Sequence, residues 1–259
     1  MGMPRNIILI RHGESEGNFA NSLAKKGDIS LFSKDYRDTP GHRWRLTENG
    51  VNQAQTTGAW LKENQMSNFF RYYCSTYVRT RETAAQLSLD NAKWVLDSRV
   101  RERDWGDIGS IPIMEFVKEY PRNALVKKID SLYWRPPGGE SIADVRLRVR
   151  DLFSTLHREC DLEDVIIVTH GEFMRACRAE LEYMTDDEWI AENSTPSGKI
   201  RNAEILHYTR ENPDTKKIEK RITWVRKVCS WDENKGEDNW IKLIRKKYSN
   251  DDLLNSIEN

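Results

Sequence analysis

Two histidines stand in the same local setting at distant points of the chain. Ile7-Ile8-Leu9-Ile10 runs straight into Arg11-His12-Gly13-Glu14, and Val165-Ile166-Ile167-Val168 runs into Thr169-His170-Gly171. Between them lie Arg79, within Ser75-Thr76-Tyr77-Val78-Arg79-Thr80-Arg81-Glu82-Thr83-Ala84, and Glu102, within Arg101-Glu102-Arg103-Asp104-Trp105-Gly106. Guanidinium forks match the oxygens of a phosphate, and imidazole and carboxyl groups can be tuned to move protons at neutral pH. Phosphoryl transfer depends mainly on positioning and charge neutralisation, and a phosphoryl group carries close to two negative charges at neutral pH. These residue types therefore suit a phosphorylated substrate. A single histidine at a strand end is more often a hydrogen-bonded structural residue; repetition of the pattern, with arginines between, shifts the reading to chemistry.

Positioning these groups calls for buried strands with polar tips. Four consecutive branched apolar residues fit a strand covered on both faces, as in a parallel sheet, and the glycine that follows lets the backbone turn or approach a ligand closely. Ligands of open α/β sheets lie beyond the carboxyl ends of the strands, so two such strands side by side would set His12 and His170 on one rim. Arg71 to Cys74 reads as a third strand leading towards Arg79, and Lys93 to Leu96 as a weaker fourth. Thr47 is placed to cap a helix with Val51, Ala54 and Leu61 inward. Ser141 follows the turn Pro136-Pro137-Gly138-Gly139 and opens an amphipathic helix through Val145, Val149, Leu152, Phe153 and Leu156. Another helix is expected after His170, a capping box at Thr185-Asp186-Asp187-Glu188, and a hairpin of Ala203–Tyr208 with Ile222–Val225. Residues between Asn18 and Leu46 read as a long polar loop beginning beside the site, with His42 and Arg43 as solvated residues in it. Ile113 to Lys118 reads as a short helix ending near Tyr120-Pro121, able to roof the site.

The order of Arg11-His12-Gly13-Glu14, Asn18, Ser75-x-x-x-Arg79-x-x-x-Thr83-Ala84, Glu102, Gly138-Gly139-Glu140-Ser141 and His170-Gly171 resembles the histidine phosphatase superfamily, the phosphoglycerate-mutase-like clan. The likeness extends from Asn6 to Leu206 and includes Leu46-Thr47-x-x-Gly50-x-x-Gln53-Ala54. Two positions depart from the pattern: Thr76 stands where proline often follows the serine, and an acidic Glu172 follows His170-Gly171. The resemblance implies a phosphohistidine intermediate, no metal or other cofactor, and an α/β fold. That fold would be a three-layer sandwich with a mostly parallel central sheet flanked by helices.

Composition narrows the setting. The 259 residues allow one domain with additions, read as 1–210 for the catalytic domain and 211–259 for a C-terminal strand and helix extension packed on it or trailing from it. Charged residues make up 32% and the mean hydropathy is −0.76, yet apolar residues are grouped into runs and periodic faces as in a folded chain. Forty-one basic residues balance forty-one acidic ones, so no global field recruits nucleic acid or an anionic membrane. Cys74, Cys160, Cys177 and Cys229 are far apart and read as reduced thiols, without metal-ligand spacing. No apolar run reaches membrane-spanning length, the first strand begins too early for a signal peptide, and Asn6 stands where a myristoylation motif needs Ser or Thr. A cytoplasmic location is expected.

Roles follow from residue chemistry. Arg11 and Arg79 are assigned to the phosphate pocket, with Asn18, Gly171 and backbone N–H groups near Gly13 as further contacts, while Arg81 should point away on its helix. His12 is the expected nucleophile, since neutral imidazole attacks phosphorus without a strong base. His170 has two open roles, stabilising phosphate, which is favoured, or aligning His12. Glu102 is the expected general acid and then base, ahead of Asp104 and Glu14, and needs a raised pKa. The favoured function is metal-independent hydrolysis of a phosphorylated small molecule or a phosphoprotein. A phosphoglycerate-type mutase and a catalytically idle phosphate-binding scaffold are the alternatives. Substrate recognition falls to the 19–45 and 112–135 segments, where Tyr120, Trp134 and Arg135 carry no readable code, and oligomeric state has no signal.

Overall fold

The computed structural model describes residues 1–195, 198–232 and 239–257. Its strands are β1 (Asn6–Arg11), β2 (Arg71–Cys74), β3 (Trp94–Leu96), β4 (Asp164–Thr169), β5 (Ile205–Thr209), β6 (Trp224–Val228) and β7 (Ile241–Lys242). They form one sheet in the order β3-β2-β4-β1-β5-β6-β7. The core β3-β2-β4-β1 is parallel throughout, and the β1-β5, β5-β6 and β6-β7 pairs are antiparallel. Thus the expected α/β sandwich is present, its mixed sheet having a parallel core closed on one side by antiparallel pairing. The expected hairpin is β5 with β6, and the chain after 210 contributes β6 and β7 to the same sheet. Residues 233–238 and 258–259 of the proposed C-terminal extension lie outside the described residues.

The apolar runs are buried because helices cover both faces. The helices are α1 (Glu16–Ala24), α2 (Lys34–Asp38), α3 (Glu48–Glu63), α4 (Val78–Gln86), α5 (Ile113–Glu119), α6 (Pro121–Ile129), α7 (Ile142–Glu159), α8 (Gly171–Leu181), α9 (Asp186–Asn193) and α10 (Asn250–Asn255). Alternate side chains point to opposite faces of a strand. Ile7, Leu9, Val165 and Ile167 meet Val145, Val149 and Leu152 of α7 and Phe173 and Cys177 of α8 on one face. On the other, Ile8, Ile10, Ile166 and Val168 meet Leu61 of α3 and Ala84 of α4. Each fully buried Ile or Leu contributes about 1.5–3 kcal/mol relative to exposure, so both layers hold the central strands firmly. Thr47, Ser141 and Thr185 accept from the third backbone N–H of α3, α7 and α9, as their sequence patterns predict. Among the described residues no helix is long and apolar enough to cross a membrane.

One expectation needs correction. The segment from Asn18 to Leu46 contains most of α1, all of α2 and a 3-10 turn at Gly41–Arg43. Trp44 packs so closely on Gly17 that a Cβ there would meet its ring at 2.4 Å, and Ala20, Ala24 and Phe32 form a small core of their own. The short helix expected from Ile113 is α5, which ends at Glu119 just before Pro121; Pro121 then opens the separate helix α6, in whose first turn its missing N–H costs nothing. The two segments meet through a bidentate pair, Arg37 to Glu115 at 2.5 and 2.8 Å.

Candidate active site

Parallel pairing brings three strand ends to one rim. The His12 amide donates to Thr169 O at 2.9 Å and the Ser75 amide to Val168 O at 3.1 Å, so His12, Ser75 and His170 are neighbours after β1, β2 and β4. Gly13 is required here by close approach: a Cβ on it would stand 2.2 Å from Gly50 O, at the start of α3. The His12 carbonyl is held by the Ala203 amide and by Asn202 Nδ2, each at 3.1 Å.

These contacts fix the ring as well as the backbone. His12 Nδ1 lies 2.7 Å from Gly13 O, so that nitrogen carries the proton and donates it to the carbonyl. Its Nε2 lone pair is left facing Arg79, whose Nε donates to it at 3.1 Å. Burial first, then the charges of Arg79 and Arg11, push the His12 pKa well below its ordinary 6.5. The ring is therefore neutral at neutral pH, with a lone pair on a defined nitrogen.

Arg79, in the first turn of α4, also donates to Gly41 O at 2.7 Å and to His170 Nδ1 at 3.2 Å. Burial lowers its pKa to about 10, which still leaves it charged at neutral pH. Arg81 is exposed, as its helical offset predicts. Arg11 donates from Nη1 to Ile200 O at 2.6 Å, while its buried Nε finds no acceptor among the described residues. A Cβ on Gly171 would lie 3.4 Å from that Nε, so glycine keeps the side of the guanidinium clear. An unsatisfied buried donor on a cationic group is a site that an anion would complete. Asn18, a lining residue of the cavity, accepts at Oδ1 from the Ser15 amide, Ser15 Oγ and Asn202 Nδ2, bonds that leave its own amide N–H₂ unused.

His170 lies beneath the rim. Completely buried, it meets Ser75 Oγ through Nε2 at 2.8 Å and accepts a hydrogen bond from Arg79 Nη2 at Nδ1. Burial, then the charge of Arg79, hold its pKa well below 6.5. In this arrangement it is neutral and hydrogen-bonded to Arg79, with its ring 5.2 Å from that of His12. The backbone N–H groups beside Gly13 are also spoken for: Gly13 donates to Thr83 Oγ1 at 3.1 Å and Glu14 to Gln53 Oε1 at 2.9 Å.

A cavity of about 420 Å³ opens above this rim, lined by Arg11, His12, Asn18, Arg79, Glu102 and Gly171 among others. Glu102 Oε1 accepts the amides of Arg103 at 3.0 Å and of Glu172, in the first turn of α8, at 3.2 Å. Its pKa is nevertheless raised above 4.5, by burial first and then by the Glu172 charge, against the lowering pull of Arg79. The alternatives are otherwise engaged: Glu14 accepts from Thr47 at 2.8 Å, and exposed Asp104 caps the Gly106 amide at 2.8 Å. A second cavity of about 340 Å³ also reaches Arg79 and Glu102 from the side of His42, Tyr77 and Gly106.

All seven residues expected at the site converge there, six on the cavity and His170 beneath it. Missed by sequence reasoning were Ser75 as the partner of His170, Asn202 as the clamp on His12 and Asn18, and Trp105, Lys127 and Arg175 in the cavity wall. Ser75 could have been found, since it ends a strand as His12 does. Asn202 and Lys127 have no local pattern. Of the peripheral residues considered, Trp134 is buried under the wall and Arg135 pairs with Asp144 on the surface.

The sequence model of the histidine phosphatase superfamily (branch 1) matches residues 7–218. A phosphoglycerate mutase-like protein of Arabidopsis thaliana is 28% identical over 81% of this chain and 70% of its own. A 2,3-bisphosphoglycerate-dependent phosphoglycerate mutase of Methylobacterium radiotolerans is 29% identical over 85% of this chain and 96% of its own. Among solved structures, a mycobacterial glucosyl-3-phosphoglycerate phosphatase superposes with a TM-score of 0.63 at 24% identity, covering 79% of this chain and 92% of that one. An Escherichia coli protein named a putative α-ribazole-5'-P phosphatase gives 0.64 at 18% identity, covering 85% of this chain and 97% of that one. These structures share the fold, and the sequence match carries the further conclusion that the chain belongs to branch 1 of the histidine phosphatase superfamily.

Proposed function

We propose that this protein is a metal-independent phosphatase that hydrolyses small phosphomonoesters through a phosphohistidine at His12 Nε2. The observation that carries the reading is the fixed His12 tautomer: with Nδ1 hydrogen-bonded to Gly13 O, the lone pair on Nε2 faces the guanidinium that would hold the phosphoryl group. Substrate phosphate takes the place of His12 and Gly41 O as partner of Arg79, and completes the free Nε–H of Arg11. Asn18 adds a neutral donor, and α8, opening at Gly171, adds the positive end of its dipole. His170 keeps the Arg79 fork in plane. Glu102, with its pKa raised, gives a proton to the leaving oxygen and then takes one from the attacking water. The second cavity at Glu102 supports water as the acceptor, since it reaches the carboxyl from a side that the leaving group need not occupy.

Small molecules are favoured over phosphoproteins because the fold neighbours named above carry the names of phosphatases of small phosphorylated molecules, glucosyl-3-phosphoglycerate and α-ribazole-5'-P. Relatives named phosphoglycerate mutases supply the competing reading, in which the phosphoryl group returns to a bound acceptor. Turnover of an aryl phosphate with EDTA present separates the two. Inorganic phosphate should appear over many turnovers at an unchanged rate. Activity restored only by a divalent metal would refute metal independence; a stable phosphoenzyme discharged only by an added hydroxy acid would favour the mutase.

The arginine clamp gives a further expected result. Arg79→Lys keeps the charge but loses the fork that spans His12, Gly41 and His170, so kcat/KM should fall by about 10² or more, as for removal of a transition-state donor. A value within about threefold of the parent would remove Arg79 from phosphate binding.

A further inference from the structure

The cavity above His12 has a second lining whose character differs from that of the phosphate pocket. Trp44, Trp105, Ile108, Ile111, Ile113 and Phe116 give it an apolar wall. Its volume of about 420 Å³ falls within the range of roughly 300–1,000 Å³ typical of sites that bury drug-sized ligands. A phosphoryl group with a three-carbon acid would leave most of that wall uncovered.

Lys127 is one of the cations of the lining, with Lys25 and Arg175. The Lys127 ammonium, from α6, stands 5.0, 5.5 and 5.1 Å from the ring centroids of Trp105, Phe116 and Trp134. Arg103 lies over Trp105 and Trp134 at 4.7 and 5.2 Å, and its own donors are used by the carbonyls of Glu140 and Trp134. No carboxylate pairs with Lys127 among the described residues, and Glu172, which attracts it, is bound to Arg175 at 2.6 Å. Aromatic faces stabilise a cation only in part and cannot replace a counter-ion. A partly desolvated ammonium at a cavity wall, held by rings and unpaired, is arranged to receive an anionic oxygen.

We infer that the substrate is a phosphomonoester whose leaving group is a bulky apolar body bearing a second anionic group, the body lying on Trp44, Trp105 and Phe116 and the anion on Lys127. The inference rests on the reading of the site as a phosphatase, but its test does not require turnover. Calorimetric binding of three hydroxylated leaving groups separates its parts: 6-hydroxy-2-naphthoate is bulky and anionic, 2-naphthol is bulky only, and glycerate is anionic only. Hydroxynaphthoate should bind at least about tenfold more tightly than either of the others, the usual worth of a hydrogen bond to a charged group. Lys127→Met should bring its advantage over 2-naphthol below about twofold, and Lys127→Arg, with the charge restored, should keep it above about fivefold. Thermal melting shows that each variant is folded. Glycerate binding as tightly as hydroxynaphthoate, absence of binding by hydroxynaphthoate, or an unchanged ratio in folded Lys127→Met would overturn the assignment. Hydrolysis of the corresponding phosphates is measured separately: its absence, with the binding pattern intact, would sink the phosphatase reading and leave the leaving-group site standing.

Discussion

His12→Ala is expected to abolish turnover of every phosphomonoester, with a fall of at least about 10⁴-fold, because loss of a covalent nucleophile removes the reaction path itself. The fold should survive. The main-chain bonds at position 12, to Thr169, Ala203 and Asn202, do not depend on the ring, and the space left behind opens onto the cavity rather than into the core. Phosphoenzyme trapped without acid should carry phosphate on His12 in the parent and none in the variant. The nitrogen can be specified as well: with Nδ1 tied to Gly13 O, the phosphoryl group should be on Nε2. Phosphate recovered on Nδ1, on His170 or on a serine would contradict this geometry, and near-parent turnover by His12→Ala would end the nucleophile assignment.

Much of that geometry was legible in the sequence, for physical reasons. Four buried branched residues followed by a polar tip can hardly be anything but an interior strand ending at a rim, and two of them predict neighbours in a parallel sheet. The spacing Ser75-x-x-x-Arg79 fixes the guanidinium one turn into a helix, inward, with Arg81 outward. By contrast, α1 was hidden because its cap, Ser15-Glu16-Gly17-Asn18, uses asparagine where the familiar pattern has Glu or Gln, and its glycine exists only to admit Trp44. At Pro121 the end of α5 is legible but the start of α6 is not, because proline serves as well after a helix as in the first turn of the next. The contacts of His170 are only half legible: Ser75 ends a strand as His12 does, whereas the approach of Arg79 from α4 to Nδ1 is encoded by no local spacing.

The remaining large effect concerns Glu102 and depends on the leaving group. In Glu102→Gln, phosphorylation of the enzyme by alkyl phosphates should slow by about 10²–10⁴, the worth of positioned acid catalysis, because an alkoxide departs poorly without a proton. Activated aryl phosphates, whose phenolates are stable, should lose far less in the same step. Single-turnover rates are needed, since the missing base would also slow attack by water and hide the difference in steady state. The pH profile gives an independent sign. Alkyl substrates need His12 neutral and Glu102 protonated; burial pushes the first pKa below 6.5 and burial with the Glu172 charge pushes the second above 4.5. Phosphorylation by alkyl phosphates should therefore decline on the alkaline side as Glu102 ionises. In Glu102→Gln that decline should disappear, while the acid limb set by His12 stays. Glu172→Gln removes the charge that helps raise the Glu102 pKa, so the alkaline limb should move to lower pH. Equal slowing of alkyl and aryl substrates in Glu102→Gln would move the acid role to another group, and an unchanged phosphorylation rate for both would take Glu102 out of the mechanism.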